Sequence, residues 1–139
     1  MKYVLLLSII TLFSCKKTMN LEGKFFTIEL GKKKIFLYFL NSKKCNQLLV
    51  DEGIHKKSSF LYSRSNKGIT FYNFDLFFDE EKYLSQSNPV YSLEVYSKNS
   101  CLYFDIDYSG FKYCEVNRDD LPKNVITELT KNTSLGNVW

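Results

Sequence analysis

One histidine, His55, stands in 139 residues, and that scarcity excludes a histidine triad or a site built from several imidazoles within one chain. Nor does the chain contain an apolar run of the about 20 residues that a membrane-spanning helix needs. The uncharged, Leu- and Ile-rich stretch at 3–13 falls short of that length. Charge of one sign is also lacking: 19 Lys and Arg face 15 Asp and Glu, a net +4 that is too small to argue for a nucleic-acid partner. No thiol is set beside an oriented base, as a Cys–His nucleophile requires, and His55 reads as a surface residue in a Gly-Ile-His-Lys-Lys loop.

The first residues carry a pattern. Lys2 precedes the apolar stretch, whose length suits the core of a signal peptide, and Leu12-Phe13-Ser14-Cys15 follows. An ordinary secretory cut after Ser14 requires a small residue in the place of Leu12. The tetrapeptide resembles the lipobox of bacterial lipoproteins, with Phe13 bulkier than the usual residue there. The resemblance implies cleavage before Cys15 by signal peptidase II and a diacylglycerol, hence fatty-acyl chains, on the Cys15 sulfur. Two or more acyl chains give stable anchoring where one does not. The chain is thus expected to divide into a signal peptide at 1–14, a lipidated cysteine and polar tether at 15–21, and a β-rich domain at 22–139. The expected partner at this end is a membrane, on the extracytoplasmic side of the bacterial envelope, with periplasmic exposure. The leader bears on location alone.

Removing 14 of 139 residues leaves 125, a length suited to one domain with one core. With 45% hydrophobic and 24% charged residues, the composition is globular. Lysines cluster at turns, at 32–34, 43–44 and 56–57, where they are solvated. Between the turns, enrichment in Phe, Tyr, Ile and Val predicts short strands over 24–30, 34–40, 47–50 (weak), 59–63, 69–78, 90–97, 101–107 and 111–116. Connections are mostly too short for parallel crossovers, so the sheet should be antiparallel. One helix is expected over about 122–132. Asp119 or Asp120 precedes it, Pro122 suits its first turn, and Leu121, Val125, Ile126 and Leu129 form an apolar stripe. The predicted fold is mainly β: a single antiparallel barrel or sandwich of about seven or eight short strands with one C-terminal helix.

Two strands read as apolar on both faces. Ile35, Leu37 and Phe39 alternate with Phe36, Tyr38 and Leu40. In the second, Tyr72, Phe74, Leu76 and Phe78 oppose Ile69, Phe71 and Phe77, with Asn73 and Asp75 between them. A half-exposed sheet alternates apolar with polar residues, so the second faces are expected to be covered by the helix, a second sheet or a partner. Phe71, Tyr72, Phe74, Phe77 and Phe78 form the candidate binding patch. Ordinary core and a cavity for an apolar ligand are the alternatives.

Four cysteines less Cys15 leave Cys45, Cys101 and Cys114. An oxidising envelope permits disulfides, and three pairings are possible. Cys101–Cys114 is the most local, because both flank one expected hairpin and share a face.

Asp105-Ile106-Asp107-Tyr108-Ser109-Gly110 places oxygens at alternate positions with a glycine sixth, as in the first half of a calcium loop. Val116 then stands where a bidentate Glu belongs, and the flanks read as strands. The segment is better read as a hairpin turn, and neither metal nor cofactor is expected. Ser109-Gly110-Phe111-Lys112-Tyr113 resembles the Ser-Gly-x-x-Tyr signature of membrane-bound lysozyme inhibitors. In that family the loop serine enters the enzyme cleft, which makes Ser109, Gly110 and Tyr113 loop candidates. A second tryptophan-glycine motif of that family is not found in this sequence. Gly23-Lys24-Phe25 is similar to the Gly-x-Trp that opens lipocalin barrels, with Phe in place of Trp.

The expectation is a lipid-anchored, noncatalytic protein-binding module, such as an inhibitor or immunity protein. Its partner would be an envelope or secreted protein, not a nucleic acid. A structural or assembly lipoprotein and a carrier of a small apolar ligand are the competing classes.

Overall fold

The computed structural model describes residues 20–66, 68–74, 90–104 and 112–132, and of 90–93 the backbone only. The elements are β1 (Phe25–Leu30), β2 (Lys33–Phe39), β3 (Lys44–Asp51), β4 (Ile54–Ser65), β5 (Gly68–Phe74), β6 (Val90–Lys98), β7 (Cys101–Phe104), β8 (Lys112–Val116), a 3-10 turn (Arg118–Asp120) and helix α1 (Lys123–Thr130). Each strand pairs antiparallel with the next, and β8 returns to β1 through Phe25↔Val116, Phe26↔Glu115 and Thr27↔Cys114. The sheet is therefore a closed, up-and-down eight-stranded barrel, the barrel rather than the sandwich of the two expected architectures.

Turn chemistry drives the meander. Glu52 and Gly53 join β3 to β4, and Asn99 and Ser100 join β6 to β7; all four have positive φ, between 45° and 86°. Two consecutive residues of that hand suit the right-handed twist of a tight hairpin.

Alternation places one set of side chains inside. Phe26, Ile35, Leu37, Phe39, Cys45, Leu49, Phe60, Tyr62, Ile69, Phe71, Phe74, Val95, Leu102, Phe104 and Tyr113 form one buried cluster. Eight strands make a barrel just wide enough for side chains to fill. Aromatic rings fill this one: Phe71 lies 4.7 Å from Phe60 and 5.3 Å from Phe74, and Phe104 lies 5.5 Å from Tyr113. Leu21, expected in the tether, is fully buried in this cluster. A turn closed by Lys24 N–H on the Leu21 carbonyl swings its side chain into the core, so the folded body begins before residue 22.

A second cluster lies outside the barrel. Phe25, Phe36 and Leu48 pack under Leu121, Val125 and Leu129, with Tyr38, Val50, Val116 and Ile126 at the margin. The helix thus covers the outer face of β8, β1, β2 and β3, which explains why β2 is apolar on both faces.

Two strands differ from the sequence expectation. β3 is eight residues long rather than a weak four, and β4 is twelve rather than five. Most of the added positions are polar, Lys44, Asn46 and Asp51 on β3 and His55, Lys56 and Lys57 on β4, so no apolar alternation marked them. His55 accordingly lies in a strand and not in a loop.

Candidate protein-binding face

The outer wall made by the second half of β4 and by β5–β7 presents its side chains away from the helix. On β4, Phe60 and Tyr62 are buried, which turns Leu61 and Ser63 outward. On β5, Ile69 and Phe71 point in, and Thr70 and Tyr72 out. On β6, Val95 is buried between the exposed Glu94 and Tyr96. Leu61 stands directly opposite Tyr72, and Tyr96 opposite Tyr103. The result is an outward set of Leu61 (42% exposed), Tyr72 (39%) and Tyr96 (46%).

Local contacts hold these side chains in place. Tyr96 and Tyr103 stack with centroids 5.3 Å apart and planes 12° from parallel. The Tyr72 hydroxyl and Ser63 Oγ lie 3.0 Å apart in a hydrogen bond. Stacked, hydrogen-bonded tyrosines offer large amphipathic area at small entropic cost, because few rotamers remain to be lost on contact.

Of the patch expected from sequence, the structure puts only Tyr72 on this face. Phe71 and Phe74 are fully buried in the barrel, a correction with a definite cause. Asn73 has φ 55°, which interrupts the pleat so that Phe71 and Phe74, three apart, both turn inward. Phe77 and Phe78 lie outside the described residues, as do Cys15, Ser109, Gly110, Asp105 and Asp107. Tyr113, the last of the loop candidates, is fully buried. It cannot meet an enzyme cleft, because the alternation of β8 points it into the core. Leu61, Tyr96 and Tyr103 were not singled out from sequence. Strict alternation from their buried neighbours would have found them.

Cys101 and Cys114 are joined by a disulfide across β7 and β8, on the outer face, since the neighbouring Leu102 and Tyr113 point in. Cys45 is a free, buried thiol whose pKa burial raises, which leaves it protonated and unreactive.

Polar groups of β3 and of the first half of β4 hold the helix instead. The fully buried Asn46 donates from Nδ2 to the carbonyls of Leu129 (2.6 Å) and Lys131 (3.1 Å), and its Oδ1 accepts from Ser59 Oγ at 2.7 Å. Lys57 Nζ donates to the carbonyls of Glu128 and Lys131, and Lys44 Nζ to Asn132 Oδ1 at 3.4 Å. These donors satisfy carbonyls that a helix end leaves unpaired, and the lysines oppose its negative pole. Desolvation first, then the charges of Lys131 and Lys44, lower the Lys57 pKa, against the raising influence of Glu128. His55 Nδ1 lies 2.7 Å from Glu128 Oε1, a helix contact rather than an idle surface position.

Inside the barrel, burial pushes the Tyr62 hydroxyl up to about 12, against a lowering by Arg64; it donates to the Asn41 carbonyl at 2.6 Å. Burial also raises Tyr113 far above the ordinary phenol range. The Tyr113 hydroxyl lies toward Gln47, yet no hydrogen bond of normal geometry is completed among the described residues.

Among the described residues, no group of three or more His, Cys, Asp or Glu side chains is placed to hold a metal ion, and no helix is long and apolar enough to cross a membrane. Comparison with protein-family models, with curated proteins and with solved structures finds no match.

Proposed function

We propose that this chain is a lipid-anchored envelope protein that binds another protein, without catalysis, through the β4–β7 wall. The observation that carries the reading is the outward set Leu61, Tyr72 and Tyr96 on a rigid, hydrogen-bonded scaffold. Exposed tyrosines spread along such a surface, Tyr72 opposite Ser92 and Tyr96 four positions further along β6, suit a partner's hot spots, which are enriched in tyrosine. An inhibitor or immunity protein against a secreted hydrolase or toxin fits this description, as does an assembly lipoprotein that docks a neighbour. The carrier reading is disfavoured by packing: the barrel interior is occupied by Phe26, Phe39, Phe60, Phe71, Phe74 and Phe104. Anchoring rests on the Leu-Phe-Ser-Cys pattern at 12–15.

The full chain, produced in a bacterial host with a photo-crosslinking residue at Tyr72 or, as control, at Lys34 on the helix-bearing side, tests the binding reading. Crosslinks to a defined protein from position 72 and not from 34 are expected. Equal yields from both positions, or co-purified lipid with no protein adduct, overturn it. Anchoring is checked separately: Cys15→Ser should lose the diacylglyceryl mass and leave the membrane fraction. Retention of that variant in the membrane refutes the anchor.

A further inference from the structure

At one edge of the β4–β7 wall Gly68 opens β5, facing Ser65 on β4 and lying close to the Val95 carbonyl of β6. A Cβ at residue 68 would lie 2.9 Å from the Val95 carbonyl oxygen, and Gly68 has φ 147°. Only glycine fits this close approach, and the missing side chain leaves a notch. The notch holds about 110 Å³ and is lined by Ser65, Gly68, Thr70, Glu94 and Tyr96, with Ile69 and Val95 completing the floor. Glu94 and Tyr96 flank the inward Val95, so the carboxylate and the ring share its outer side. The Tyr96 ring is backed by Tyr103. Among the described residues, Lys98 and Lys112 lie beyond Tyr96 and Tyr103 rather than beside Glu94, and Arg64, next to Ser65, stands in the row of the inward Ile69 and Val95.

The geometry points to this notch as the anchor pocket for an arginine side chain presented by the protein partner. This rests on the binding role proposed for the wall and adds the chemistry of what is bound. A small cleft with one carboxylate and an adjacent aromatic face matches a flat cation in three ways. The guanidinium stacks on the Tyr96 ring, pairs with Glu94, and donates to the half-buried Thr70 hydroxyl. The volume is on the scale of one side chain. Arginine and tyrosine are the residues that most often dominate interface energetics.

The test uses the full chain and a short blocked peptide containing one arginine, with its citrulline twin as the uncharged control, followed by amide chemical shifts. Saturable shifts centred on Gly68, Thr70 and Tyr96 are expected. Citrulline should bind about tenfold more weakly, and Glu94→Gln should weaken the arginine peptide about fivefold. Tyr96→Leu should weaken it by a similar factor with Glu94 intact. Equal affinity for the two peptides, shifts centred elsewhere, or unchanged binding by Glu94→Gln overturns the assignment. The crosslink from position 72 separates this failure from the larger one. If the crosslink persists at full yield in Glu94→Gln, the arginine anchor is refuted and the binding wall stands. If no protein crosslinks at all, the wall's role is refuted, and the titration still decides whether the notch takes a guanidinium.

Discussion

The two sides of the barrel use the same strand geometry to opposite ends. On the side of β8, β1, β2 and β3, outward residues are apolar, and α1 seals them: Phe25, Phe36 and Leu48 are each at most 6% exposed. On the side of β5–β7 and the second half of β4, outward residues are amphipathic, and no described element lies over them. One wall was built to be covered by the chain itself. The other is made of side chains such as tyrosine that tolerate water and still offer a large apolar contact.

Breaking the covered wall should cost most. Leu129→Ala removes a fully buried side chain between helix and sheet, and a loss of about 2–5 kcal/mol is expected in urea unfolding. A change below about 1 kcal/mol would mean that the helix contributes little to the fold. Removing the disulfide by Cys101→Ser with Cys114→Ser opens a loop of sequence separation 13. A loss of roughly 3 kcal/mol is expected, with the barrel still formed by circular dichroism. Asn46→Ala leaves the Leu129 and Lys131 carbonyls without their buried donor, for about 1–3 kcal/mol. The bare wall should behave differently: Leu61→Ser and Tyr96→Ser should each shift stability by about 0.5 kcal/mol or less while abolishing the complex crosslinked from position 72. A large stability loss in either would show that this face is structural.

Alkaline pH probes the barrel interior that both walls share. Tyr62 and Tyr113 have pKa values raised by burial, so the folded state holds their protons more tightly than the unfolded chain does. Their contribution is fully present below the ordinary phenol pKa of about 10 and is lost as pH rises above it. Stability measured by denaturant titration should fall above about pH 10. Tyr113→Phe should be nearly neutral at pH 7, since its hydroxyl completes no hydrogen bond, and should blunt the alkaline decline. An unchanged decline would place its origin elsewhere.

How much of this was legible beforehand follows from where alternation is clean. The β2 stretch gave both of its faces and the need for a cover, and Leu121, Val125 and Leu129 gave the helix that supplies it. The first half of β4 was invisible because Ile54-His55-Lys56-Lys57-Ser58 has no apolar face. Those residues serve the helix end, a tertiary role with no periodic signature. The β5 stretch misled because a single left-handed Asn73 swaps the faces beyond it, moving Phe74 from the expected surface to the core. Of the candidate site, only Tyr72 was named correctly as a surface residue. Leu61 stands alone between buried neighbours and Tyr96 between the buried Val95 and the exposed Ser97, so no run of apolar residues drew attention to them. Closure of the sheet is a long-range property: Phe25 and Val116 carry no local mark of their pairing.

That seam has a consequence for how the molecule assembles. Seven of the eight strand pairs join neighbours in sequence, but the last must bring together segments some ninety residues apart, the kind of distant pairing that slows folding. Phe25 and Val116, which meet there, are also part of the apolar patch beneath α1, and α1 follows β8 after only a short turn. The chain therefore carries its own latch. As the final strand arrives, the segment behind it buries the joint, and the slowest contact to form becomes one of the best protected.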